Sequence, residues 1–209
     1  TGYYYGGGAI FNYGETTISN STITGNTASL GGALANSGSL TLQNSTISSN
    51  TAKGTLNGQH YYGGQGGGVY NWYYGTLTIT KSTITGNKAI SGGGINNVGS
   101  MEINGGSTVS KNSAFYAGGI YNLGYGTIAN STISGNSANL KTIKNYGYTY
   151  FYGGRGGGVG NFLNGVLTIT NSTISGNSTT TGGPGGGICS DSIAVTITNS
   201  TISGNSSTG

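Results

Sequence analysis

Few residues in this chain have the chemistry of an acid, a base, a nucleophile or a metal ligand. Its carboxylates are Glu15, Glu102 and Asp191. General acid and base work on a glycosidic bond needs two carboxyl groups facing one another across the bond. These three stand at different places in the sequence pattern, which argues against such a site. His60 is the only histidine and sits among tyrosines and glycines, the setting of a surface side chain. With Cys189 as the only cysteine, an internal disulfide and a Cys-based zinc site are excluded. The many serines have no companion base, so nucleophilic catalysis has no support. Gly63-Gly64-Gln65-Gly66-Gly67-Gly68 and Gly153-Gly154-Arg155-Gly156-Gly157-Gly158 lack the Lys-Ser/Thr of a phosphate loop and the Asp of a calcium repeat. They read as corner glycines. The expectation is a protein that is not an enzyme and carries no cofactor or metal.

Two sets of side chains do form arrays. Thr22, Thr46, Thr83, Thr108, Thr132, Thr173 and Thr201 are each followed two positions later by Thr or Ser. On a flat strand face such an array is similar to that of β-helical ice-binding proteins, where methyl and hydroxyl groups order water. The same hydroxyl face suits glycosylation or packing against another chain. Aromatics are concentrated at Tyr3, Tyr4, Tyr5, Tyr61, Tyr62, Trp72, Tyr73, Tyr74, Tyr148, Tyr150, Phe151 and Tyr152. Exposed clusters of this kind mark contact surfaces, for glycans or for another subunit.

What positions these residues is an internal repeat. A phrase of the form GG(A/G)(I/V/L)xN, GxLTI, NSTISGN recurs seven times, with a bare unit of about 25 residues. Its first apolar anchor is Ile10, Leu34, Val69, Ile95, Ile120, Val159 and Ile188. The second is Ile18, Leu42, Ile79, Ile103, Ile128, Ile169 and Ile197, and the third is Ile23, Ile47, Ile84, Val109, Ile133, Ile174 and Ile202. Asn stands two residues after the first anchor (Asn12, Asn36, Asn71, Asn97, Asn122, Asn161), with Ser190 breaking the series. Each copy closes on Asn26, Asn50, Asn87, Asn112, Asn136, Asn177 or Asn205.

Every copy offers three short strands in which Ile alternates with Thr, Ser or Gly, so one face is apolar. A single copy cannot bury so thin a face, but stacked copies can, each Ile resting on the next. The fold class that follows is all-β: one right-handed parallel β-helix spanning residues 1–209. Its coils start near 7, 31, 66, 92, 117, 156 and 185. Tyr/Gly-rich loops are inserted at about 51–65 and 138–155, both after the closing Asn and hence on one side of the rod. At roughly 4.8 Å per coil, seven coils make about 34 Å. The recurrent Asn suit corners, where their amides can bond up the column and where Asn tolerates left-handed backbone. Seven N-x-S/T sequons (Asn20, Asn44, Asn130, Asn171, Asn177, Asn199, Asn205) arise from the same repeat.

The phrases GGAIFN at 7–12, GGALAN at 31–36, GGGVYN at 66–71, and NSTISGN at 130–136, 171–177 and 199–205 carry a resemblance. They resemble the GGA(I/L) and FxxN-type repeats of polymorphic outer-membrane proteins and of large bacterial surface and secreted β-helix proteins. The resemblance implies an extracellular or cell-surface place and a structural or adhesive task. The formal net charge is only +4, spread over separated residues such as Lys53, Lys111 and Arg155, so nucleic acid is not an expected partner. No apolar run is long enough for membrane insertion by a helix. The first coil opens directly on Gly7 and the last closes on Asn205 without a polar cap, which points to a longer rod or to head-to-tail stacking of copies into a filament.

Overall fold

The computed structural model describes residues 6–57, 60–145, 148–180 and 183–208. Among these residues there are strands and turns but no helix. Three parallel sheets of seven strands run the length of the stack. The first sheet begins with Ile10–Asn12 and ends with Ile188–Ser190. The second runs from Glu15–Ser19 to Ala194–Thr198, and the third from Thr22–Thr24 to Thr201–Ser203. Each copy of the repeat gives one strand to each sheet, which is the parallel β-helix expected.

Register is kept at every step. Ile79 lies opposite Leu42 and Ile103, and Ile84 opposite Ile47 and Val109. The alternation explains why: in Thr76–Thr80 (TLTIT), Leu77 and Ile79 are fully buried while Thr76 is exposed. A slip of one residue would turn both outward, losing about 1.5–3 kcal/mol for each side chain. Leu40, Leu77, Met101 and Leu167 form a further inward column beside the three anchors.

The coil has a fourth strand that the repeat phrase does not announce. Thr27–Ala28 pairs with Thr51–Ala52, and Ser113–Ala114, Ser137–Ala138, Ser178–Thr179 and Ser206–Ser207 pair in turn. Single bridges through Lys88 join the two groups. Two residues are too few for alternation to show in sequence, although Ala52, Ala114 and Ala138 are buried.

This strand also corrects the insertions. Thr51–Ala52 and Ser137–Ala138 belong to the coil, and Gln65 and Arg155 rejoin it through parallel bridges. The inserted segments are antiparallel hairpins rather than loops: Gly54–Asn57 with His60–Gly63, and Lys141–Asn145 with Tyr148–Tyr152. They leave the same corner of the second and fifth coils, as their position in the repeat requires.

Both Asn columns form ladders. In the first, each Asn Nδ2 donates to Oδ1 of the next Asn at 2.7–2.8 Å, from Asn12 to Asn161. Where Ser190 interrupts the series, Asn161 donates instead to Ser192 Oγ and to the Ala194 carbonyl. The left-handed corners belong to other residues. Asn20, Asn44, Lys81, Asn130, Asn171 and Asn199, between the second and third sheets, have φ of 48–50°. Five of these begin sequons, whereas the Asn177 sequon lies on a fully buried ladder residue. Next to this corner runs a serine ladder, in which Ser21, Ser45, Ser82, Ser131 and Ser172 N–H groups donate to the next Ser Oγ at 3.1–3.2 Å.

Candidate functional site

With the interior filled, the outward columns are the sides of the stack that can meet a partner. On the third sheet, register places Thr22, Thr46, Thr83, Thr108, Thr132, Thr173 and Thr201 in one column. Thr24, Ser48, Thr85, Ser110, Ser134, Ser175 and Ser203 form the parallel column across the buried anchors. Ser48 Oγ donates to Thr24 Oγ1 at 3.2 Å and Ser110 Oγ to Thr85 Oγ1 at 3.3 Å. The arrangement can offer evenly spaced hydroxyl and methyl groups to water or to a packed surface.

The aromatics divide between two corners. Trp72, Tyr73 and Tyr74 turn the chain from the first sheet to the second, where Tyr73 and Tyr74 are 70% and 84% exposed with ring centroids 5.0 Å apart. Trp72 is half-buried against Tyr70, edge to face at 4.9 Å. Tyr62 is exposed on the first hairpin, and Tyr61 is its neighbour on the same strand. Tyr148, Tyr150, Phe151 and Tyr152 lie on a strand of the second hairpin. The hairpins precede the first sheet and the Trp72–Tyr74 turn follows it, so the tyrosines flank that sheet rather than decorating one corner. Tyr3, Tyr4 and Tyr5 lie outside the described residues.

A third surface brings together residues that sequence reading had kept apart. The outward position of the first sheet reads Phe11, Ala35, Tyr70, Asn96, Tyr121, Gly160 and Cys189, coil by coil. Gly160 leaves a notch between Tyr121 and Cys189. The Phe162 ring fills part of it, so close that a Cβ on Gly160 would lie 2.3 Å from that ring. Tyr121 and Phe162 stand 5.1 Å apart, tilted at 40°. Tyr116 and Leu163 stand beside them, and Arg155 Nη1 meets Asp191 Oδ2 at 3.6 Å, together lining an open notch of about 180 Å³. Burial pushes the Tyr121 hydroxyl up, with Tyr116 and Asp191 adding to it and Arg155 opposing. Burial also raises the Cys189 thiol, where Arg155 opposes and Asp191 adds.

The three carboxylates remain in separate coils. Glu15 opens a strand of the second sheet, Glu102 accepts from Asn104 Nδ2 at 2.6 Å, and Asp191 pairs with Arg155. No cluster of three His, Cys, Asp or Glu that could hold a metal ion is found among the described residues. Comparison with protein-family models, with curated proteins and with solved structures finds no match to this chain.

Proposed function

We propose that this chain is a non-enzymatic, extracellular structural protein, a subunit or segment of a surface fibre in which coils continue by end-to-end stacking. The polarity of the closing Asn ladder carries this reading. At each of its six steps, Asn Nδ2 and backbone N–H both donate to Oδ1 of the next Asn, at 2.9–3.1 Å. The ladder thus runs in one sense from coil to coil, each coil donating to the next and accepting from the one before, as at Asn87, Asn112 and Asn136. Identical coils that donate and accept in this one sense can be added end to end without change of pattern, as a fibre requires.

Electron microscopy and sedimentation of the purified chain test the reading. Rods that lengthen with concentration, and that are lost on Ile202→Lys, are expected. Discrete particles of one size at all concentrations would sink it.

Exposure of Tyr62, Tyr73 and Tyr74 favours a second reading, an adhesive module that holds a glycan or another surface through tyrosine. Tyr-dependent retention on a glycan array is its test.

A further inference from the structure

We propose that the notch lined by Tyr116, Tyr121, Arg155, Phe162, Leu163 and Asp191 is a binding site for one neutral sugar ring, a terminal or internal pyranose of a glycan. The inference goes beyond the fibre reading and deepens the adhesive one, on which it rests for the class of ligand but not for the residues.

The notch exists because three adjacent coils differ where the rest of the repeat tolerates anything. Tyr121 supplies an outward ring in the fifth coil, Gly160 supplies no side chain in the sixth, and Cys189 supplies a small one in the seventh. Phe162 lies against Gly160 and is itself 5% exposed, so its ring is held by packing rather than free to swing away. Tyr116 and Arg155 occupy matching corner positions before the first sheet, joined by a backbone bridge. Leu163 and Asp191 occupy the corner after it, and the Asp191 N–H donates to the Asn161 carbonyl at 3.2 Å. Three adjacent strands of the first sheet and the corners on either side of them therefore fix the aromatic floor and the polar rim.

The chemistry of these groups selects the ligand. Aromatic faces carry negative π density and attract the weakly positive C–H face of a pyranose. Arg155 presents a planar fork of donors, and Asp191 two acceptor oxygens; together they match adjacent hydroxyl groups, which both donate and accept. Both side chains are about half exposed and reachable, at 51% and 55%. Their charges cancel, so an anion would meet Asp191 and a cation Arg155, whereas a neutral polyol meets neither penalty. The volume of about 180 Å³ lies below the roughly 300–1,000 Å³ of sites for larger ligands, which fits one ring.

Saturation-transfer NMR with a panel of methyl glycosides (glucose, galactose, mannose, N-acetylglucosamine), followed by calorimetry of any that bind, tests the site on the full chain. Binding on the order of millimolar is expected for a single ring. Asp191→Ala and Arg155→Gln, both at exposed positions, should each weaken it at least roughly tenfold with an unchanged circular dichroism spectrum. Gly160→Val should abolish it. The Tyr73→Ala/Tyr74→Ala double variant should bind as the parent does. Absence of transfer to every glycoside in the panel overturns the site. Binding that survives Asp191→Ala but is lost in the Tyr73/Tyr74 variant also overturns it, while leaving the adhesive reading standing.

Discussion

Asn87 Nδ2 and the Asn87 backbone N–H both donate to one atom, Asn112 Oδ1, at 3.0 and 2.9 Å. Asn112 repeats the arrangement with Asn136 and donates a further bond to the Ile84 carbonyl at 3.0 Å. One side chain thus satisfies buried donors of the coil before it and orders the coil after it. Replacing Asn112 by Ala strands two donors that water cannot reach, each at about 1–3 kcal/mol. The expected loss for the two together is about 2–6 kcal/mol. Asn26→Ala, on a half-exposed residue with one laddered neighbour, should lose about 1 kcal/mol. Urea melts followed by circular dichroism measure both, and equal losses would show that the ladder does not act through burial.

Backbone approach sets a second contrast. Gly93 turns the chain where a Cβ would lie 2.3 Å from the Gly118 carbonyl oxygen of the next coil. The coils cannot separate to admit a methyl group, because the spacing is set by the sheets on either side. Gly93→Ala should therefore lower the thermal midpoint by many degrees or prevent folding. Gly14→Ala meets nothing within 4 Å and should change stability by less than about 0.5 kcal/mol. Thermal scans of the pair check this.

The Ile columns and Asn ladders were legible in sequence because they recur at fixed offsets and obey the period of a strand. The left-handed corner was misassigned to the ladder Asn, since Asn20 and Asn26 look alike until backbone angles separate them. Ser21 and its equivalents carried no signal of their own within NST, although Ser45, Ser82, Ser107 and Ser172 are buried acceptors. The Gly54–Asn57 and His60–Gly63 hairpin was hidden because its tyrosines and glycines give no clear alternation of apolar and polar residues. The notch was illegible for a different reason. Its members come from three coils, and their proximity depends on the unequal insertions that separate Tyr116, Arg155 and Asp191 in the chain. A signal did exist in the outward column, where Gly160 alone places no side chain among Phe11, Ala35, Tyr70, Asn96, Tyr121 and Cys189.

Tyr70 should make stability fall at alkaline pH. Burial pushes its hydroxyl from 10.0 up to about 12, so the folded chain holds the proton more tightly than the unfolded one. This contribution is fully present below pH 10 and is lost as pH rises from 10 toward 12. Two pH units correspond to roughly 2–3 kcal/mol at most. Tyr70→Phe, which keeps the ring against Trp72, should flatten the slope of stability against pH over that interval. An unchanged slope in chemical melts at pH 9.5, 10.5 and 11.5 would contradict the assignment.

Cys189 reports on the charges at the notch. Its thiol is raised first by burial, with Arg155 pulling it down and Asp191 pushing it up. The thiolate is the reactive form, so alkylation by iodoacetamide at pH 8 should be slower than for a free cysteine. Asp191→Asn removes a nearby negative charge, lowers the thiol toward its ordinary value and should speed alkylation. Arg155→Gln removes the positive charge and should slow it. Both substitutions also open the Arg155–Asp191 pair, so an effect of access alone would speed both reactions. Opposite signs in the two variants, measured as rate against pH by mass spectrometry, therefore identify electrostatics, and equal acceleration would identify access.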